Sequence, residues 1–330
     1  MAFFSRRRKK APTQLPVDEP GEKLRMLLVV NPYASTVSGR IKNVVVYALQ
    51  SRYEIEVIDT RERGHATEIV ADALGRNQYD VVCSFGGDGT ANEVINGMIG
   101  SEVPFTFLPG GMTNVIGRVL GIPNDIVDAT EHLLTVADHF EPRRIDLGDA
   151  NGRKFIFAAG AGLDAQIVRA CESKPSLKRR FGQNYYAIAA VRVFGKHIFQ
   201  RSRLQVSAGD DIDSRAIVAI AQNVRPFTYF GEREIDLCET AGLENRSLAI
   251  TALDRANPLD FAPLATRLLT PNTDLADNRH IKIAPDVQRA VVSKRKPDGP
   301  KIPLQADGDY IGEYDEIVFT ALPAALNVIA

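Results

Sequence analysis

Residues 81–98 constrain the fold of this chain more than any other stretch. Val81-Val82-Cys83-Ser84-Phe85 is a short apolar run of the kind that forms a buried strand. Gly86, Gly87 and Gly89 then crowd around Asp88, and Ala91, Val94, Ile95 and Met98 follow at the spacing of one helix face. Thr90 and Glu93 stand three apart, as in a capping box, which makes Thr90 the expected N-cap. A strand therefore runs through a glycine turn into a helix whose first N–H groups face whatever fills the turn. Such a terminus favours anions, phosphate above all. The pattern is neither G-x-G-x-x-G nor a P-loop with its Lys-Ser/Thr. An acid inside a phosphate cradle repels phosphate unless a divalent cation lies between them, so Asp88 implies Mg²⁺.

The same rhythm recurs around this stretch. Leu24 to Val30 reads as a strand ending at Asn31-Pro32, followed by a loop through Ser35 and a helical pattern from Ile41 to Leu49. Glu54 to Asp59 alternates like a strand, and Thr60 to Gly64 turns into a helix carrying Ala66, Ile69, Val70 and Ala73. Val103 to Leu108, a helix from about Thr113 and another over 124–137 complete the series. Strands alternating with helices imply right-handed βαβ units, hence a doubly wound parallel sheet. Ligands of such sheets bind beyond the carboxyl ends of the strands, where Asn31, Thr60, the turn from Gly86 to Thr90 and the loop from Pro109 to Asn114 all fall.

Near Phe140 the pattern changes to short strands. Arg144 to Asp149 and Lys154 to Ala159, joined at Asn151-Gly152, read as a hairpin with a type I′ turn. Leu204 to Ser207 and Ala216 to Ala221 read as another. Further strands are expected at 248–252, 281–283, 290–293, 302–306 and 316–320, with helices near 164–171, 184–199 and 259–269. The expected organisation is a basic, disordered tail over 1–22, an α/β nucleotide domain over 23–142 and a mainly antiparallel β domain over 143–310. Residues 311–330 are a candidate to complete the first domain. The active site is expected in the cleft between the two.

With 330 residues the chain can bury two cores. A net charge of −1 argues against general nucleic-acid binding. Cys83, Cys171 and Cys238 show no C-x-x-C spacing and fit reduced thiols of a cytoplasmic protein. No run approaches the ~18 apolar residues of a membrane span. The cations at Arg6 to Lys10 are followed by no apolar segment, so they do not read as a secretory signal.

Gly86-Gly87-Asp88-Gly89-Thr90 with Asn92-Glu93 closely resembles the nucleotide loop of the diacylglycerol kinase catalytic-domain family, which also includes sphingosine and ceramide kinases. Asn31-Pro32, Thr60 with His65-Ala66, the loop from Pro109 to Asn114, Asp146-Leu147-Gly148, Gly160 to Asp164 and Asp307-Gly308-Asp309 resemble further motifs of that family, in order. The resemblance implies a Mg²⁺-dependent kinase that takes ATP. Asn31, Pro32, Ser35, Thr60, Gly86, Gly87, Asp88, Gly89, Thr90, Asn92, Glu93 and Thr113 would lie along the nucleotide, while Asp88, Asp146 and Asp307 would serve the metal. Asp309, where the family has Glu, would deprotonate the acceptor hydroxyl, and Asp88 would share the catalytic role. Two departures stand out. Met112 occupies the usual threonine position of the 109–114 loop, and Glu239 to Arg246 lacks the Asp-Gly pattern of a second, structural metal.

The resemblance makes diacylglycerol the leading acceptor, with phosphatidic acid as product. A sphingoid base or another lipid alcohol, a soluble acceptor as in NAD kinases, and lipid or nucleotide binding without turnover remain open. Lys174, Lys178, Arg179, Arg180, Tyr185, Tyr186, Arg192, Lys196, Arg201 and Arg203 form a basic and aromatic stretch suited to transient contact with an anionic membrane on its cytoplasmic face. Oligomeric state is left open, a homodimer being one option.

Overall fold

A computed structural model describes residues 23–174, 184–197, 203–230, 233–255 and 279–330. The expected tail over 1–22, the expected helix over 259–269, and Lys178, Arg179, Arg180 and Arg201 lie outside the described residues.

The first half is the expected βα series: β1 (Leu24–Val30), α1 (Gly39–Leu49), β2 (Tyr53–Asp59), α2 (His65–Arg76), β3 (Val81–Gly86), α3 (Asp88–Gly97), β4 (Phe105–Pro109), α4 (Val115–Leu120) and α5 (Ile126–Asp138). The strands pair in parallel in the order β2-β1-β3-β4. Strands β1, β3 and β4 are almost continuously apolar because both faces are covered. Helices α1 and α5 pack together, as do α2 and α3. Leu28, Phe85, Ile95, Phe105 and Phe107 are fully buried in the resulting core.

The second half contains β5 (Arg143–Ala150), β6 (Arg153–Phe155), β7 (Ala158–Gly162), α6 (Leu163–Glu172), α7 (Asn184–His197), β8 (Leu204–Ala208), β9 (Ile212–Ala216), β10 (Val218–Gln222), β11 (Thr228–Phe230), β12 (Arg233–Ile235), β13 (Leu248–Leu253), β14 (Ile281–Val287), β15 (Arg289–Lys294), β16 (Ile302–Ala306), β17 (Asp309–Tyr314) and β18 (Glu316–Val328). An antiparallel sheet runs β14-β13-β10-β7-β16-β17. Its inner residues Ala161, Ile250 and Leu304 share one core with Phe155, Val206 and Phe319 of the other sheet, so two sheets pack face to face. The chain is thus an α/β part with a doubly wound parallel sheet followed by an antiparallel β part.

Several element boundaries differ from expectation. The strand expected over 154–159 breaks after Phe155, because the N–H groups of Ile156, Phe157 and Ala158 all donate to the Asp307 carboxylate instead of to a neighbouring strand. The hairpin partner expected for Leu204 to Ser207 was 216–221, yet β8 pairs with β9 at 212–216, and β10 joins the other sheet. The last strand was expected to stop at Thr320, yet β18 continues past Pro323 to Val328. A register shift between Leu322 and Leu326, with Ala324 at φ +50°, accommodates the proline. Strand β18 pairs with β15 and β5 and reaches β4 at Val328 and Phe105. Among the described residues, one ten-stranded sheet therefore extends from the parallel strands into the antiparallel part.

Helix α7 buries Tyr185, Ala189 and Val193, with Tyr185 and Ala189 clustering with Cys171 of α6. Tyr185 is therefore a packing residue, whereas Lys174, Arg192 and Arg203 of the basic stretch are exposed.

Candidate active site

The loops that follow β1, β2, β3 and β4 converge at one end of the parallel sheet. Facing them from the β part is the turn between β16 and β17. Between the two lies a cleft of about 780 Å³, lined on one side by Asn31, Ser35, Thr60, Asp88 and Thr113 and on the other by Asp307 and Asp309. The loop after β3 and the loop after β4 touch backbone to backbone: a Cβ on Gly111 would lie 2.8 Å from the Gly87 Cα. The glycines here permit loop-on-loop packing at the floor of the cleft as well as close approach by a ligand. Asn31 closes its own turn by accepting from the Tyr33 N–H at 2.9 Å, and its Nδ2 donates to Thr90 Oγ1 at 3.0 Å.

Helix α3 starts at Asp88, two residues before the expected N-cap, and its N-cap is Gly87 with no side chain capping it. Thr90 and Glu93 make no capping box because both face other elements. Thr90 accepts from Asn31, while Glu93 caps α2, accepting from the N–H of Gly64 at 2.7 Å and of Ala66 at 3.3 Å. His65, at the start of α2, accepts from the Arg61 N–H through Nδ1 at 3.1 Å and tightens the same loop.

The four acids singled out in the sequence occupy different environments. Asp88 lines the cleft, and its Oδ1 accepts from the Ile116 N–H at 2.9 Å in the first turn of α4. Burial raises its pKa, opposed by backbone donors of Ile116 and Val115. Asp307 is 4% exposed and accepts from the N–H groups of Ile156, Phe157 and Ala158 and from Asn92 Nδ2 at 2.7 Å. Burial pushes its pKa up to about 7 despite those donors. Asp146 does not line this cleft. Its carboxylate accepts from the N–H groups of Arg246 and Ala324, joining β5 to the 239–246 segment and to β18. Asp309 stands at the cleft with its carboxylate against Gly89, 3.2 Å from where a Cβ on that residue would lie. An acid from the β part thus reaches the first turn of α3.

A fifth acid braces the β16–β17 turn from behind. Asp164 accepts from Gln305 Nε2 at 2.7 Å, and Gln305 Oε1 accepts from the Gly308 N–H at 2.9 Å. Gly160 has to be glycine for this contact, since a Cβ there would lie 1.8 Å from Asp164 Oδ2. Burial pushes the Asp164 pKa up to about 6.

Sequence reasoning overlooked Arg63. It follows Thr60 in the loop after β2, lines the cleft, and donates to Glu172 Oε2 at 3.0 Å and to the Tyr310 carbonyl at 2.9 Å. Its Nη2 also lies 3.8 Å from Asp309 Oδ1. Burial opposes its charge, but Asp309 and Glu172 outweigh that and raise its pKa. A cation in a loop at the carboxyl end of a parallel strand was the available signal.

Among the described residues no three His, Cys, Asp or Glu side chains gather as a metal site. Asp88, Asp146 and Asp307 each spend carboxylate oxygens on peptide N–H groups. The donors present do not fit a metal cage made by protein alone. Mg²⁺ bound mainly through phosphate oxygens would need no such cage, and the cleft wall offers Asp88.

Residues 25–149 match the family model of the diacylglycerol kinase catalytic domain. A diacylglycerol kinase of Bacillus subtilis is 27% identical over 266 residues, covering 80% of this chain and 82% of that protein. One from Staphylococcus haemolyticus is 34% identical over 152 residues, 45% of this chain and 43% of that protein. The crystal structure of a Bacillus anthracis diacylglycerol kinase superposes with a TM-score of 0.71 at 19% identity, covering 94% of this chain and 98% of that one. The fold is that of the Bacillus anthracis structure, and the catalytic-domain match makes the chain a kinase. Its segment 25–149 is thus similar to the diacylglycerol kinase catalytic domain. No helix among the described residues is long and apolar enough to cross a membrane.

Proposed function

We propose that this kinase transfers the γ-phosphoryl group of ATP to the free hydroxyl of diacylglycerol, giving phosphatidic acid. The observation that carries the proposal is the meeting of Asp309 with the first turn of α3. A helix N-terminus without a side-chain cap suits the nucleotide phosphates. An acid reaching it from the opposite wall suits the acceptor. Asp309 would accept the hydroxyl proton as the acceptor oxygen bonds to phosphorus. The bond from the γ-phosphorus to its bridging oxygen would break, and ADP would leave with the electron pair. Phosphoryl transfer asks the protein mainly for positioning and charge neutralisation. Mg²⁺ would supply the neutralisation, and Asp88 at the cleft wall would help hold it. Asp146 and Asp307 serve the frame in this reading: one ties β5 to β18, the other ties α3 to the β16–β17 turn.

The lipid would reach the cleft from an anionic membrane surface, toward which the exposed Lys174, Arg192 and Arg203 contribute attraction. The test is γ-labelled ATP and Mg²⁺ with a total-lipid extract, with NAD offered in parallel. Label in phosphatidic acid supports the proposal. Label in a sphingoid phosphate would keep the lipid kinase and change its acceptor. Label in NAD phosphate alone, or in no product, would overturn it.

A further inference from the structure

Tyr310 directly follows the acid that faces the acceptor, and its peptide groups are held from both sides. Its N–H donates to Glu172 Oε1 at 3.0 Å. Its carbonyl accepts from Arg63 Nη2 at 2.9 Å, and Arg63 Nη1 closes the ring on Glu172 Oε2 at 3.0 Å. The same Nη2 stands 3.8 Å from Asp309 Oδ1. Arg63 belongs to the loop between β2 and α2, whereas Glu172 ends α6 and Tyr310 lies in β17. The ring therefore crosses the cleft.

Its root on the nucleotide side is stiff. Glu93 accepts from the Gly64 N–H, the residue after Arg63, and the Thr60 N–H donates to the Val30 carbonyl at 2.8 Å. The ring is also a poor device for stability. The Arg63 side chain is 55% exposed, and an ion pair that open to water adds little to folding. What it does fix is the backbone at 309–310, and with it the direction of the Asp309 carboxylate.

We propose that Arg63 and Glu172 are positioning residues for Asp309: a guanidinium–carboxylate pair across the cleft that clasps the Tyr310 peptide and aims the acceptor-side acid. The inference rests on the reading of Asp309 given above. A misplacement of ~1 Å costs about 10²-fold in rate, so a short, single-carboxylate reach depends on such a clasp.

The experiment measures lipid phosphorylation and ATP affinity for Arg63→Ala, Arg63→Lys, Glu172→Gln and Asp309→Asn, and for the double variant Arg63→Ala/Asp309→Asn. Arg63→Ala should lower kcat by about 10²-fold while ATP affinity, which also reports that the protein is folded, changes less than about threefold. Arg63→Lys should recover part of the rate. Glu172→Gln, which keeps an acceptor for Tyr310 but loses the ion pair, should fall between wild type and Arg63→Ala. In the Asp309→Asn background, Arg63→Ala should cost almost nothing more, because Arg63 acts through Asp309. Multiplicative losses together with weakened ATP binding would mean that Arg63 serves the phosphates, which overturns the positioning role. Full activity in Arg63→Ala with a large loss in Asp309→Asn would overturn it while leaving the base reading intact. Full activity in Asp309→Asn would end both.

Discussion

Asp164, Asp307 and Asp309 lie within one short network, and each side chain's surroundings give it a different task. Asp307 faces four N–H donors and holds a turn; Asp309 faces the cleft and an arginine. Asp164 has one hydrogen bond from Gln305 to offset its burial, and its pKa rises to about 6. Unfolded aspartate titrates near pH ~3.9. Between these values the folded protein holds a proton that the unfolded chain has lost, so this group's contribution to stability falls as pH rises through that window. Asp164→Asn should remove the slope. Thermal midpoints measured from about pH 4 to about pH 7 should show the variant gaining on wild type up to about pH 6 and level beyond. A constant difference across the range would contradict the assignment.

At the scale of elements, helix α2 depends on a carboxylate from its neighbour. Gly64 is its N-cap at φ +85° with no capping side chain, and Glu93 of α3 supplies the acceptors. Glu93→Ala should cost about 0.5–2 kcal/mol, the usual worth of a cap, seen as a drop in thermal midpoint of roughly 1–3 °C in a chain of this length. Glu93→Gln, which keeps one acceptor, should lose less; equal losses would mean that the charge and not the cap matters. This contact also explains what the sequence could and could not reveal. The β1-to-α5 alternation was legible because buried parallel strands are apolar runs and their helices are amphipathic. Thr90-x-x-Glu93 looked like a local cap, yet both side chains had better partners distant in the chain, Asn31 and Gly64. The break after Phe155 was illegible for the same reason, since its cause is Asp307, about 150 residues away. The passage of β18 through Pro323 depends on a bulge that strand periodicity does not announce.

Across the whole molecule, the cleft exists because β18 continues the parallel sheet into the β part, while Asn92–Asp307 and Arg63–Glu172 tie its two walls together. Motif order in the sequence located both walls; Arg63 belonged to no motif and emerged only from geometry. The central claim is that an acid from one wall serves an acceptor whose phosphate donor sits on the other. Asp309 already packs against Gly89, so the local backbone is fitted to the shorter side chain, and Asp309→Glu should lose activity. The most direct measurement is kcat for diacylglycerol phosphorylation by Asp309→Asn, with ATP affinity measured on the same protein. The account predicts a loss of roughly 10²–10⁴-fold in kcat with ATP affinity nearly unchanged. A kcat equal to that of wild type would contradict it.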